Sequence, residues 1–246
     1  WGEPVDILRY DNGWEEGNAA QYTWFVPHDV QGLISLMGGR DIFNAKLNTS
    51  FLEAEKHDFT SGKSHDKELM EKLRRVYINY GNQPSIQTAY LFNYSGAPWL
   101  TQYWSRKVVE KVYSGLSPFY GYSGDEDQGL MGSLAVLMKS GIFSTNGGTS
   151  EDPFYEISSP IFNKITFHLH TDYYKGKSFT IEAQNNNSKN YYIQSATLND
   201  KPLEKPWILH ETITNGGKLV LKMGNTPNKM WGSKPENAPP SMTSIK

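Results

Sequence analysis

Three adjacent acidic residues, Asp125, Glu126 and Asp127, form the group in this sequence whose residue types are best suited to chemistry. Carboxylates this close repel one another, which raises one or more of their pKa values if they are buried. Such a cluster could bind a metal ion or supply a general base. The same residues precede a predicted helix, however, and one of them could simply be its N-cap. The sequence leaves both interpretations open.

A second candidate is Glu16, which lies in the aromatic, glycine-containing stretch 14–29. Trp14 could shield its carboxyl group from water and favour the protonated acid. Alternatively, Glu16 is an exposed residue at the start of a helix. Loops at helix ends often form sites, and three other such predicted loops are rich in polar and aromatic residues: 80–85, 97–102 and 122–129.

Two histidines, His168 and His170, are two residues apart and therefore share one face of a predicted strand. That face could hold a metal ion, but a half-exposed sheet needs polar side chains in any case. The sequence contains no cysteine, which excludes disulfides, thiolate zinc sites and cysteine nucleophiles. It also contains no phosphate-binding or dinucleotide-binding fingerprint and no serine-hydrolase elbow.

The elements that must position these residues are helical over roughly the first 140 residues, where apolar side chains recur at helical spacing. Between the predicted helices lie polar loops that contain glycine and proline. The four predicted helices run from Asp66 to Tyr80, ended by Gly81; from Leu100 to Tyr113; along Phe43, Leu47 and Phe51; and from Leu130 to Met138, closed by Gly141.

After Pro153 the period of the apolar residues changes to two, which indicates strands. Short strands separated by turn residues favour an antiparallel sandwich. The sequence therefore predicts an α+β chain with a helical segment at 1–150, a strand segment at 151–246 and a loose tail over the last dozen residues. The five predicted strands are Ile165–Leu169, Phe179–Ala183, Tyr191–Leu198, Trp207–Ile213 and Lys218–Met223.

Composition narrows the classes of function. The 246 residues carry a net charge of −2, and 13% of them are aromatic. Without a basic excess we expect no nucleic-acid partner, and without an apolar run of about 18 residues we expect no membrane span. The aromatic share favours a folded protein and fits sugar binding, although a packed core explains it equally well.

Three Asn-x-Ser/Thr motifs, at Asn48, Asn93 and Asn186, permit a secreted glycoprotein, although such short motifs also arise by chance. The chain begins at Trp1, without an initiator methionine or a signal peptide. We therefore expect a processed or truncated segment.

Several ordered blocks of this sequence together resemble glycoside hydrolase family 92, the calcium-dependent, inverting exo-α-mannosidases. The first block opens with Glu-Gly-Asn-Ala-Ala-Gln-Tyr and the second reads Gly-Asn-Gln-Pro-Ser. The likeness extends from about Tyr10 to Gly232 and is far more specific than a lone short motif. Its blocks are 16–33, 81–85, 90–102 and 124–132 in the helical segment, and 158–164 and 192–199 in the strand segment.

The resemblance implies an architecture in which an (α/α)6 helical barrel is paired with a β-sandwich and the site lies at their junction. The family's catalytic unit is much longer than 246 residues, so this chain would be the C-terminal part of the barrel followed by antiparallel sandwich strands. It would then need the N-terminal portion of the same enzyme as a separate chain or fragment. Alone it would expose a large apolar surface.

The resemblance also implies a mechanism. Inversion needs a carboxylic acid on the leaving oxygen and a carboxylate that activates water on the opposite face of the sugar, about 6.5–9.5 Å away. By this resemblance, Glu16 corresponds to the acid and Asp127 to the base, with Asp125 as the helper of the base or its alternate. Calcium, a hard cation with oxygen ligands, would be held at Gln83 and Ile86 and would contact the mannose hydroxyls.

The resemblance implies a mannose-containing glycan as the substrate and a secreted or extracytoplasmic location. Indole rings would supply stacking faces for the sugars, and polar side chains would bind the sugar hydroxyls. The residues assigned to substrate binding are Trp14, Asn18, Gln21, Trp24, Asn82 and Trp99.

Three positions depart from the family pattern. Its glutamate in Gly-Asn-Glu-Pro is Gln83 here, a histidine is usual near Ile86, and the usual tryptophan is Ala20. Glutamine keeps the size and an oxygen ligand but loses the charge and the titration. If position 83 carries the acid, only an activated leaving group such as a mannosyl phosphate could be cleaved; if it contacts calcium or the leaving sugar, linkage preference or metal affinity changes.

Three hypotheses for function therefore stand. The first is an exo-α-mannosidase that acts on terminal α-mannosides, of the α-1,2 type or related, in mannose-rich glycans. The second is a mannosyl-phosphate hydrolase or a non-catalytic mannose-binding relative, because of Gln83. The third is a structural module of helices and strands with no sugar site.

Overall fold

The computed structural model describes residues 5–10, 13–60, 75–117 and 128–243. Most of its helices precede its strands along the chain, so the predicted mixed α and β content is confirmed. Within these ranges, no helix combines the length and the apolar character that crossing a bilayer requires. The helices are α1 (Ala19–Tyr22), α2 (Val30–Leu36), α3 (Arg40–Glu55), α4 (Pro98–Val112), α5 (Leu130–Ser140) and α6 (His210–Thr214), and 3₁₀ helices cover Gln83–Ser85, Thr88–Asn93 and Pro235–Asn237.

Three of the predicted helices are present as α3, α4 and α5. The stripe Phe43, Leu47 and Phe51 of α3 is fully buried, as its spacing predicts. Helix α5 ends at Gly141, whose φ of 80° is the left-handed conformation that glycine adopts readily. The N-cap of α5 is Gly129, so the interpretation of an acidic residue of 125–127 as the N-cap is wrong.

The helix predicted from Asp66 to Tyr80 is absent where the structure describes this segment. Residues 66–74 lie outside the described residues, and 75–80 form no helix. The Tyr80 N–H donates to the carbonyl of Phe59 at 2.7 Å, and the Tyr113 hydroxyl donates to the carbonyl of Tyr80 at 2.6 Å. The prediction is wrong over 75–80 because long-range hydrogen bonds satisfy this backbone in place of helical ones.

In the part of the chain that the structure describes, the strands form two sheets. A three-stranded sheet has the order β1-β2-β7, and a five-stranded sheet has the order β3-β4-β8-β5-β6. The register pairs Phe154 with Leu209 in the first sheet and Ile181 with Leu219 in the second. The strands are β1 (Ile142–Phe143), β2 (Phe154–Ile157), β3 (Lys164–His168), β4 (Ser178–Gln184), β5 (Tyr192–Leu198), β6 (Lys201–Pro202), β7 (Trp207–Leu209) and β8 (Gly217–Gly224).

Two strand predictions need correction. The sheets are not wholly antiparallel, because β4 and β8 pair in parallel. Strand β8 lies between β4 and β5, which run in opposite directions, so it must be parallel to one of them. The strand predicted over Trp207–Ile213 stops at Leu209, and the chain turns into α6. The Asn215 N–H donates to the carbonyl of Glu211 and closes that helical turn.

Two clusters of buried apolar side chains make up the core. The first joins residues of the helices and their connecting loops, from Trp24 to Met138, with Phe143. The second joins residues of both sheets, from Ile142 to Met223, with Ile213 of α6 and with Trp231. Leu137 packs against both clusters. The proposed division into segments 1–150 and 151–246 remains a prediction.

Buried polar side chains also connect the helices to the strands. Arg106 of α4 is 6% exposed, and its guanidinium donates to the Ser159 hydroxyl, the Asn186 side-chain oxygen and the Asn187 carbonyl. Burial lowers the pKa of Arg106 from its usual range. The hydrogen bonds compensate the desolvation of this cation, so Arg106 helps to hold α4 against the strand region.

The three glycosylation motifs are occupied by contacts within the fold. Asn93 is fully buried, and its amide nitrogen donates to the carbonyl of Ile157 at 3.1 Å. The amide of Asn186 binds both Arg106 and the Pro160 carbonyl. Asn48 is half-buried and accepts from the Trp104 indole at 2.9 Å. A glycan on Asn93 is therefore incompatible with this packing, and the other two motifs lie at sites with existing partners.

The end of the chain is docked over residues 235–243 rather than loose as predicted. The Asp29 carboxylate, which caps α2 at Gly32, accepts from the Ser241 hydroxyl and from the backbone and hydroxyl of Thr243. Desolvation raises the pKa of Asp29, but the hydrogen bonds from Thr243, Gly32 and Ser241 together outweigh it and bring the pKa to about 2. This ionised carboxylate ties the tail to the helical region.

Candidate active site

The loop that carries Glu16 is held in an uncommon backbone conformation. Glu16 has a φ of 48°, in the left-handed region that residues other than glycine rarely adopt. The Asn82 amide donates to the carbonyl of Glu16 at 2.5 Å, and the Tyr22 hydroxyl donates to the carbonyl of Glu15 at 2.7 Å. The blocks at 16–22 and 81–85 therefore meet at Glu16. Outliers of this kind concentrate at functional sites.

Trp14 stacks on Tyr22, with ring centroids 5.1 Å apart. Gly17 lies against the same tyrosine, since a Cβ atom there would come within 2.8 Å of the Tyr22 ring. The Glu16 residue itself is exposed. Trp14 therefore does not shield the Glu16 carboxyl group, and the structure presents this acid at the surface of the described residues.

Asn18 and Gln21, assigned to substrate binding, are buried in the fold. Both side-chain amides donate to the carbonyl of Val76, at 3.2 and 3.0 Å. The Asn18 oxygen also accepts from the Gln21 N–H and caps α1. These contacts give both residues a structural role, anchoring the segment around Val76 to the Glu16 loop.

The second loop is fixed by its own polar side chains. The Asn79 oxygen accepts from the Gly81 N–H at 2.9 Å, and the Ser85 hydroxyl accepts from the Asn79 N–H at 3.0 Å. Asn82 caps the 3₁₀ helix by accepting from the Gln83 N–H at 3.0 Å. The Asn82 side chain thus donates to the Glu16 carbonyl and accepts from the Gln83 N–H. These two hydrogen bonds position Gln83 and Glu16 relative to each other.

Two of the indoles expected to stack on sugars have other contacts. Trp24 is 4% exposed and packs edge-on against Phe43 in the first core cluster, with ring centroids 5.6 Å apart. Its assignment as a sugar-stacking face is therefore wrong for this structure. Trp99 is half-buried against the same cluster, and the Lys229 ammonium lies 5.2 Å from its ring centroid. Trp14 remains at the edge of the Glu16 loop.

The two residues predicted to hold calcium, Gln83 and Ile86, differ in the ligand atoms that their side chains offer. The amide oxygen of Gln83 is a hard donor of the type that calcium binds. The Ile86 side chain has no ligand atom and packs against the first core cluster, so only its backbone could contribute. Among the residues that the structure describes, no three or more His, Cys, Asp or Glu side chains are grouped to hold a metal ion. His168 and His170 are exposed, and His170 lies 3.8 Å from Asp172.

A cavity of about 620 Å³ lies alongside the second loop. Ile86 and Gln87 form part of its wall together with Leu130, the first residue of α5. Strand residues Tyr155 and Phe154 close the other side. The cavity therefore lies between the helices and the first sheet. Asp127, the candidate base, and Asp125, its helper or alternate, lie outside the described residues.

The residue that sequence reasoning missed is Tyr22. It lies inside the first quoted block, so its presence was visible, but the block alone assigns it no function. Only the fold shows that its ring contacts Trp14 and Gly17 and that its hydroxyl contacts Glu15.

Comparison with known proteins defines the class. A model of the glycosyl hydrolase family 92 catalytic domain matches residues 1–225. The chain is 33% identical over 237 residues to an uncharacterized secreted glycosidase of Arthroderma benhamiae, a match that covers 95% of this chain and 26% of that protein.

Two solved structures agree with this assignment. A family GH92 α-mannosidase of Bacteroides thetaiotaomicron in complex with mannoimidazole superposes with a TM-score of 0.81 at 28% identity, covering 99% of this chain and 31% of that one. A family GH92 inverting mannosidase of the same organism superposes with a TM-score of 0.77 at 32% identity, covering 98% and 32%.

These matches identify the chain as part of a glycoside hydrolase. It belongs to glycosyl hydrolase family 92, as the blocks around Glu16 and Gln83 predicted. It spans between about a quarter and a third of the length of the relatives that it matches.

Proposed function

We propose that this chain is part of an inverting exo-α-mannosidase that hydrolyses terminal α-mannosides of mannose-rich glycans. The observation that carries the proposal is the match of residues 1–225 to the family's catalytic domain, supported by a TM-score of 0.81 to an α-mannosidase. The hydrogen bond from the Asn82 amide to the Glu16 carbonyl, at 2.5 Å, supports the proposal because it brings two of the family blocks together. The location proposed for the enzyme is secreted, like that of the glycosidase of Arthroderma benhamiae.

The architecture proposed is the C-terminal part of an (α/α)6 barrel followed by sandwich strands. The N-terminal portion of the same enzyme, as a separate chain or fragment, would complete the barrel. Apolar residues on the helical part support this: Leu36, Ile42 and Leu52 are exposed, Leu36 by 89%. Burial of these side chains against the N-terminal portion would remove their apolar area from water.

The chemistry follows from two carboxyl groups. Glu16 would protonate the glycosidic oxygen as the bond to the anomeric carbon breaks, and Asp127 would take a proton from the water that attacks the opposite face. Asp125 would help by orienting that water, or would take the same proton in place of Asp127. Calcium is proposed as the cofactor, since the Gln83 amide oxygen suits a hard cation; when bound, it would polarise the sugar hydroxyls.

The test is mannose release from α-1,2-mannobiose and from a mannosyl phosphodiester, by the chain together with the rest of its catalytic unit. We expect release that is lost on adding a chelator and restored by calcium. No release from either substrate by intact protein would overturn the proposed hydrolase and favour a non-catalytic mannose-binding relative. Release that a chelator leaves unchanged would overturn the cofactor.

The same assay addresses a second candidate function, a mannosyl-phosphate hydrolase. The observation that favours it is Gln83, a residue that cannot donate a proton as an acid, in the loop that contacts Glu16. Faster cleavage of the phosphodiester would support it, because phosphate leaves without protonation. Faster cleavage of the mannobiose would contradict it.

Replacing Glu16 with glutamine tests the acid. We expect Glu16→Gln to slow hydrolysis of mannobiose about 100-fold or more, the typical contribution of general acid catalysis, while an activated aryl α-mannoside is slowed far less because its leaving group needs no proton. The control is Glu15→Gln, an exposed neighbour on the same loop. Equal losses on both substrates would exclude Glu16 as the acid.

A further inference from the structure

The Glu16 loop is held from two sides by contacts to backbone carbonyls. On one side Asn82 donates to the Glu16 carbonyl at 2.5 Å. On the other the Tyr22 hydroxyl donates to the Glu15 carbonyl at 2.7 Å, seven residues earlier in the chain. Neither contact touches the Glu16 carboxyl group, which stays exposed. The loop is thus restrained through its peptide groups while its acid is left available.

Tyr22 makes more contacts to this loop than its hydroxyl alone. Its ring stacks on Trp14 at 5.1 Å and lies edge-on to Phe25 at 6.4 Å. It also packs so closely on Gly17 that a Cβ atom there would approach the ring to 2.8 Å. Tyr22 therefore touches the residues on both sides of Glu16.

These contacts oppose the intrinsic cost of the Glu16 conformation. A non-glycine residue in the left-handed region is strained and persists only where its surroundings determine it. The hydroxyl bond to Glu15 and the packing on Gly17 bracket the strained residue at 16. Without them the loop would relax to ordinary φ values and move the carboxyl group.

We infer that Tyr22 is a positioning residue for Glu16, holding the loop so that its carboxyl group is oriented to protonate the leaving oxygen. The inference rests on the proposed function. The role differs from that of Asn18 and Gln21, whose amides anchor the chain at Val76. Tyr22 acts on the two residues that flank the acid, Glu15 and Gly17.

The test is Tyr22→Phe in the complete catalytic unit, assayed on mannobiose and on an activated aryl α-mannoside. Losing one hydrogen bond should lower kcat on mannobiose about 10-fold and change KM little, because the loop is set for the transition state. On the aryl mannoside, which needs no acid, kcat should change less than about twofold. Hydrogen exchange at residues 14–18 should rise in the same variant.

The matched control is Thr23→Val. Thr23 is the next residue, and its hydroxyl donates to the carbonyl of Ala19 at 2.7 Å, within the helix turn rather than to the loop. It should leave both substrates and the exchange at 14–18 unchanged. Gly17→Ala provides a second variant, since it pushes on the Tyr22 ring and should reproduce the selective loss on mannobiose.

Equal losses on both substrates by Tyr22→Phe, or unchanged exchange at 14–18, would overturn the inference. Those results leave the proposed function intact, provided that the wild type hydrolyses mannosides and Glu16→Gln shows its leaving-group dependence. Failure of the wild type on both substrates would instead overturn the proposed function, and with it the role of Tyr22 in catalysis.

Discussion

Replacing Asp127 with asparagine is expected to reduce mannoside turnover by about 100- to 10,000-fold, the usual contribution of a general base. In the proposed inverting mechanism this carboxylate would take a proton from water on the face opposite the leaving group. Asparagine has nearly the same size but cannot accept that proton. The loss should appear equally on mannobiose and on an aryl α-mannoside, because both need the water to be activated.

The control is Glu126→Gln, which removes the same charge from the middle of the acidic triplet. It should retain most of the turnover, and both variants should unfold at nearly the wild-type temperature and bind calcium with similar affinity. Asp127 lies outside the described residues, so the assignment depends on the family resemblance of residues 124–132. Wild-type turnover by Asp127→Asn would transfer the role of base to Asp125.

Glu156 is expected to make the free energy of unfolding depend on pH. It is fully buried on β2, where it accepts from the Tyr94 hydroxyl at 2.7 Å and the Thr145 N–H at 3.0 Å. Burial raises its pKa to about 7 against the partly opposing effect of these hydrogen bonds. Burial also raises the pKa of the neighbouring Tyr90 and Tyr94 hydroxyls, so both stay protonated in this range.

The sign follows from proton binding. Between about pH 4.5 and 7 the folded protein holds a proton on Glu156 that the unfolded chain has lost, so stability falls as pH rises. The contribution is fully present below about pH 4.5 and is lost as the pH passes 7, a change of about 3 kcal/mol at 1.4 kcal/mol per unit. Denaturant unfolding at pH 5 and pH 8 measures it.

Glu156→Gln should remove most of this pH dependence. Its amide oxygen can accept from Thr145 while its nitrogen donates to the Tyr94 hydroxyl, so the buried hydrogen bonds are kept. Glu204→Gln, at an exposed position, provides the control and should leave the dependence unchanged. The same pH dependence in Glu156→Gln as in the wild type would show that another group is responsible.

The helices with clear periodicity were predictable because burial of one face requires apolar residues at that spacing. The buried stripe of Phe43, Leu47 and Phe51 is an example. The end of α5 at Gly141 was predictable because glycine readily adopts the left-handed conformation that ends a helix. The helix prediction was wrong over 75–80 because the hydrogen-bond partners of Tyr80, which are Phe59 and Tyr113, are distant in sequence. The central position of β8 and its parallel pairing with β4 were unpredictable for the same reason.

For the candidate site, too, some features followed from the sequence and others only from the tertiary structure. By itself, the sequence determined the family, because ordered blocks such as Glu-Gly-Asn and Gly-Asn-Gln-Pro-Ser carry their own chemistry and spacing. It also determined that residue 83 has lost a carboxylate, since that depends only on residue type. The tertiary structure decided which residues of these blocks are structural, because burial and hydrogen bonding depend on distant partners. Trp24 and Asn18 are core residues, and Tyr22 and Asn82 hold the backbone around Glu16.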